Sequence, residues 1–228
     1  MRTSWLLARV RGIEIRVHVT FVLLLAAYAG RAWFDTRRLD DAVDAIVVVG
    51  TVFGCVVLHE LGHATAARRY GVRTRDITLL PIGGVARLDG EPPTPGAEIV
   101  VALAGPAVNV AIALLLWLLG AGSAGPDDPD AAASIPDALY AINLSLAAFN
   151  LLPAFPMDGG RVLRAALAMR MAPERATRIS ARIGQAIAVA FILAGVFFNP
   201  MLALIGAFVW FGAATEIAAT DPRQRSRT

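Results

Sequence analysis

The chain has 228 residues, of which 57% are hydrophobic and 17% charged, and its mean hydropathy of +0.61 excludes an ordinary soluble domain and places it in a bilayer. Its net charge of +3 does not mark a nucleic-acid binder, because the 21 basic residues, all arginine, stand between apolar stretches rather than in a patch interleaved with aromatics. A single cysteine, Cys55, excludes an internal disulfide.

From the N-terminus, the first apolar run follows a long arginine-containing segment without a small-residue cleavage site, so no cleavable signal peptide is expected. Within that segment Ile13-Glu14-Ile15-Arg16-Val17-His18 alternates apolar and polar, the period of a half-buried strand. Apolar runs of spanning length, or close to it, are expected at about 17–33, 43–67, 97–120, 135–152, 183–198 and 201–219. Between the second and third of these, Ile77 to Leu88 reads as two short strands broken by Pro81 and the pair Gly83-Gly84. The Pro-rich run 91–96 is a rigid turn rather than a domain boundary, and Asn199-Pro200 separates the last two spans into a tight hairpin. The expectation is an all-α polytopic membrane protein, one domain over 1–228, with six transmembrane helices and a small β-sheet or hairpin at the cytoplasmic edge.

Arginine placement orients that layout, since cytoplasmic loops carry an excess of basic residues. With both termini cytoplasmic, Arg2, Arg9, Arg11 and Arg16 lie inside, as do Arg68, Arg69, Arg73, Arg75 and Arg87 after the second span. Arg161, Arg164, Arg170, Arg175, Arg178 and Arg182 follow the fourth span, and Arg223, Arg225 and Arg227 close the chain. Only Arg31, Arg37 and Arg38 fall outside, where the connection with Asp127, Asp128, Asp130 and Asp137 has no basic residue. Arginine without lysine, together with abundant alanine, suits a GC-rich bacterial genome, so the expected location is a bacterial plasma membrane.

The second span carries His59-Glu60-Leu61-Gly62-His63, two of the chain's three histidines. Positions i and i+4 share a helical face, so both imidazoles can bind one zinc ion while Glu60 stands beside them. Cys55, one turn earlier, is read as packing rather than as a further ligand. The remaining histidine, His18, is read as interfacial. A catalytic zinc needs a third protein ligand, and Asp158 is the candidate. It follows the fourth span at Asn150-Leu151-Leu152-Pro153-Ala154-Phe155-Pro156-Met157-Asp158-Gly159-Gly160, where two prolines unwind the helix and let the carboxylate turn inward. Depth agrees, because His59 lies about 24 Å of helix beyond Val43, toward the side on which Asp158 emerges.

Together these residues resemble the site-2 proteases, the intramembrane zinc metalloproteases, in which HExxH on one membrane helix is completed by a later NxxPxxxxDG segment. Both patterns are present, the second as Asn150, Pro153, Asp158 and Gly159; Gly83-Gly84 and Gly105-Pro106-Ala107-Val108-Asn109 also look like the family. The resemblance implies one zinc per chain held by His59, His63 and Asp158, with Glu60 as catalytic base and Asn150 holding the substrate backbone or the oxyanion. It implies cleavage of a single-span membrane protein inside the lipid bilayer, with anti-sigma factors, pro-sigma factors and remnant signal peptides as possible substrates. The strand with Gly83 and Gly84 would receive an extended substrate segment by edge pairing. Many relatives carry an inserted PDZ domain or a terminal CBS pair; neither fits in these 228 residues, so the expectation is a minimal form or a core cut from a longer chain. The alternatives are a non-proteolytic zinc-binding protein or transporter, which would want ionisable residues along a whole path, and a chaperone-like binder indifferent to change at Glu60.

Overall fold

A computed structural model describes residues 3–122 and 134–219. In chain order the elements are β1 (Ser4–Val10), β2 (Ile13–His18), α1 (Val19–Thr36), α2 (Leu39–Arg69), β3 (Thr74–Leu80), β4 (Gly83–Leu88), α3 (Pro95–Leu118), α4 (Ile135–Asn150), α5 (Asp158–Ala168), α6 (Pro173–Phe197) and α7 (Pro200–Ala219). The described residues are mostly helical with a small four-stranded sheet. It divides into two compact units, Met1–Glu91 with Ala107–Ala147 and Pro92–Pro106 with Ala148–Thr228.

In the first unit the sheet runs β1-β2-β3-β4. The β1–β2 hairpin turns at Arg11 and Gly12, both at positive φ (51° and 88°), which matches the right-handed twist of the strands it joins. β2 pairs in parallel with β3 through Glu14 opposite Asp76 and Val17 opposite Leu79, so α1 and α2 form the crossover between them. Ile15 and Ile77 face each other across this pairing and are buried. Where the crossover folds on itself, Phe21 of α1 meets Phe53 of α2 edge-to-face at 4.4 Å. β1 was not foreseen: six of its seven residues are exposed, so it has no alternation for burial to impose.

In the second unit, α6 ends at Phe197 and α7 starts at Pro200, the hairpin expected at Asn199-Pro200. The two helices pack closely enough that a β-carbon at Gly195 would lie 2.2 Å from the Ala203 nitrogen. The sequence reading missed α5, and α6 begins ahead of the expected 183, at Pro173.

Among the described residues, four helices are long and apolar enough to cross a membrane: α2, α3, α6 and α7. Six such helices were expected. α4 has only 16 residues, and α1 has 18 with Arg31 and Asp35 near its end. Expectations resting on Arg2, on Asp127, Asp128 and Asp130, and on Arg223, Arg225 and Arg227 lie outside the described residues.

Candidate active site

The 31-residue helix α2 brings His59, Glu60 and His63 to one stretch of its surface. It stops cleanly at Arg69, nearly two turns after His63. Val72 N–H bonds the Ala67 carbonyl and Gly71 N–H that of Arg68, with Gly71 at φ 81°, a left-handed glycine cap. His59 is buried and His63 half-buried, and their Nε2 atoms stand 3.0 Å apart with the rings nearly perpendicular. Two nitrogens on one tetrahedral zinc, at bonds of about 2.05 Å, would be separated by about 3.3 Å, so this pair fits the ion with little adjustment.

Behind His59 lies a buried polar set from two further helices. His59 Nδ1 is 2.5 Å from Asn109 Oδ1 on α3. Asn109 Nδ2 in turn donates to Asn143 Oδ1 on α4 at 2.8 Å. Asn143 Nδ2 donates to the Leu139 carbonyl at 2.9 Å and to Cys55 Sγ at 3.3 Å. Cys55 is therefore neither simple apolar packing nor visibly a metal ligand. In the sequence Asn109 stands out only within the Gly105-to-Asn109 segment and Asn143 does not stand out; the available signal is a polar amide inside an apolar helix.

Glu60 is placed by the sheet. β4 passes directly over it, close enough that a β-carbon at Gly84 would meet Glu60 Cγ at 2.8 Å. The strand is held in that position by Asp76 of β3, whose carboxylate accepts from Arg87 Nε at 2.9 Å and from Thr78 Oγ1 at 3.2 Å. This hydrogen bond raises the Arg87 pKa above its ordinary value, with Coulomb attraction to Asp76 adding to it. β4 is the last strand of the sheet, and its outer edge pairs with no other strand among the described residues.

The other expected residues belong to the second unit. Asn150 ends α4 and Asp158 begins α5, with a turn at 151–157 between them. That turn is a packed element, not a loose connector: Ala154 and Met157 are buried with Ala188 of α6 and Val209 of α7. Gly159 and Gly160 explain how the chain can fold so tightly there. A β-carbon at Gly159 would fall 2.3 Å from the Leu151 and Leu152 carbonyl oxygens, and one at Gly160 would fall 2.7 Å from backbone atoms of Ala154 and Phe155. The Asp-Gly-Gly sequence therefore lets the first turn of α5 lie against main chain. Further along α5, Arg164 forms a largely buried ion pair with Glu98 in the first turn of α3.

A family model described as peptidase family M50 matches residues 47–134 and 129–191. The chain belongs to peptidase family M50. A zinc metalloprotease of Methanocaldococcus jannaschii is 38% identical over 217 residues, covering 95% of this chain and 61% of that protein. Stage IV sporulation protein FB of Bacillus subtilis is 29% identical over 126 residues, covering 55% of this chain and 42% of that protein. Among solved structures, the site-2 protease from Methanocaldococcus jannaschii superposes with a TM-score of 0.65 at 38% identity, covering 94% of this chain and 95% of that one. This M50 chain spans about three fifths of the length of the first of these curated relatives. The match takes in both the His59-to-His63 motif and the segment from Asn150 to Gly160.

Proposed function

We propose that this M50 chain is a zinc-dependent intramembrane endopeptidase that hydrolyses a peptide bond of a single-span membrane protein within the bilayer. The observation that carries the reading is the pair of imidazoles with Nε2 atoms 3.0 Å apart on a helix long enough to cross a membrane, with Glu60 adjacent. On the motif and the chemistry of its donors, the ligand set is His59, His63 and Asp158, one zinc per chain. A zinc ion bound there would supply Lewis acidity toward the scissile carbonyl and the attacking water. Glu60 takes a proton from that water and returns it to the leaving amide nitrogen. Asn150 holds the substrate backbone or the developing oxyanion. The open edge of β4 receives the substrate strand after its helix has unwound, which places the extended chain beside Glu60.

Six crossings remain the proposed layout, with both termini in the cytoplasm of a bacterium. Parity supports α1 as a crossing despite its weaker hydropathy. β2 and β3 are hydrogen-bonded and so share one side of the membrane, and the chain between them must cross an even number of times. If α2 spans, α1 spans with it. Trp33 and Phe34, over which the Arg37 guanidinium sits at 4.9 and 5.4 Å, then form the aromatic and basic collar at the far surface. Anti-sigma and pro-sigma factors are the proposed substrate class.

The test pairs zinc content with cleavage of a single-span substrate in wild type and Glu60→Gln. Retained zinc with cleavage reduced at least about a hundredfold is expected for a lost general base. Unchanged cleavage would overturn the role of Glu60.

A further inference from the structure

We infer that the main-chain carbonyl of Leu139 dictates, through Asn143 and Asn109, which ring nitrogen of His59 is left to bind metal. Asn109 and Asn143 are thus positioning residues of the site. The inference deepens the zinc reading above and rests on it for its consequence, but the arrangement itself stands on hydrogen-bond geometry.

The chain of reasoning starts from a group with no ambiguity. A peptide carbonyl can only accept, so the Asn143 side-chain atom 2.9 Å from Leu139 O must be the amide nitrogen. That fixes Asn143 Oδ1 on the opposite branch, facing Asn109. An amide oxygen accepts, so Asn109 must present its nitrogen there, at 2.8 Å, and its own Oδ1 is turned toward His59. His59 Nδ1, 2.5 Å from that oxygen, must then carry the proton. In the neutral imidazole this leaves the lone pair on Nε2, the nitrogen that stands 3.0 Å from His63 Nε2.

Burial makes the relay rigid. Asn109 and Asn143 are each 0% exposed and His59 and Cys55 each 6%. Flipping either amide would set oxygen against oxygen or N–H against N–H in a buried setting. The second amide hydrogen of Asn143 is occupied as well, on Cys55 Sγ at 3.3 Å. Four side chains from α2, α3 and α4 therefore share one direction of donation, ending at a backbone carbonyl one helical turn before Asn143. A free histidine side chain favours the proton on Nε2, the opposite arrangement to the one a ligand through Nε2 needs. The relay reverses that preference before any metal arrives, which is the office of an outer hydrogen bond to a metal-binding histidine.

The experiment uses the full chain in detergent, first metal-free and above the imidazole titration. Nitrogen-15 shifts of His59 should show Nδ1 protonated and Nε2 bare in wild type and in Asn109→Asp, whose carboxylate still accepts from Nδ1. Asn109→Leu and Asn143→Leu should move the proton toward Nε2. Zinc affinity by chelator competition should fall about tenfold to a hundredfold in the two leucine variants and hold in Asn109→Asp. The Asp variant decides the matter if the leucine variants fail to fold. A wild-type tautomer persisting in Asn109→Leu, or zinc affinity lost in Asn109→Asp as fully as in Asn109→Leu, would overturn the relay. Absence of zinc binding by wild type would instead remove the proposed reaction, while the shifts of the metal-free chain still decide the relay.

Discussion

Gly84 carries a requirement that its strand alone does not impose. A side chain there would press on Glu60 Cγ at 2.8 Å and on Val56 Cγ1 at 3.3 Å, and neither atom is the free end of a long side chain. Gly84→Ala is therefore expected to push Glu60 from its position and lower cleavage by about ten- to a hundredfold, the cost of a misplacement near 1 Å. Zinc content should be unchanged. Gly54→Ala on α2, which meets nothing within 4 Å, should leave cleavage near wild type and serves as the control. At this scale the sequence was most informative where chemistry and spacing coincide, as in His59, Glu60 and His63. It was least informative at Asn109 and Asn143, which lie far apart in sequence. Nothing in one chain shows that two amides on different helices face the same histidine.

Among the elements, the β1–β2 hairpin has its own electrostatic lock. The Glu14 carboxylate accepts from Arg16 through both Nε and Nη2, and from Arg9 Nη2 at 2.7 Å. These bonds, Arg16 first, lower the Glu14 pKa from its ordinary value of 4.5. The folded value lies below the unfolded one, so the stabilisation is complete above 4.5 and fades as pH falls through the lowered folded value. Protection of the Ser4–Val10 amides, measured against the intrinsic exchange rate at each pH, should fall over that acid range, and Glu14→Gln should abolish this pH dependence of protection. A hairpin that stays equally protected in acid would refute the lock. β1 was illegible because exposure removes the alternation on which a strand is recognised. α5 and the start of α6 were hidden by arginines read as a loop. The turn at 151–157 was legible in its prolines, but its burial against α6 and α7 depends on Gly159, Gly160 and Gly184 admitting main chain at close range.

For the molecule, the proposed orientation is testable by attaching reporters at the two connections that flank α2. A reporter between Thr36 and Leu39 should be outside and one between Gly71 and Arg73 inside. The reverse pattern, or both on one side, would refute the layout. Membrane class was legible in the composition, and the proposed orientation rests on the arginines alone. Span count was less secure, because α1 and α4 are short and carry polar groups that serve the fold, including Asn143 in α4. The pairing of β2 with β3 also has a consequence in time. Glu14 leaves the ribosome well before its partner Asp76, with α1 and α2 made in between. The sheet can close only after both helices have been synthesised and both strands stand on the same side. Glu60 thus acquires its covering strand only after both helices are made, and a chain whose first helical pair fails to insert lacks the sheet that places Glu60.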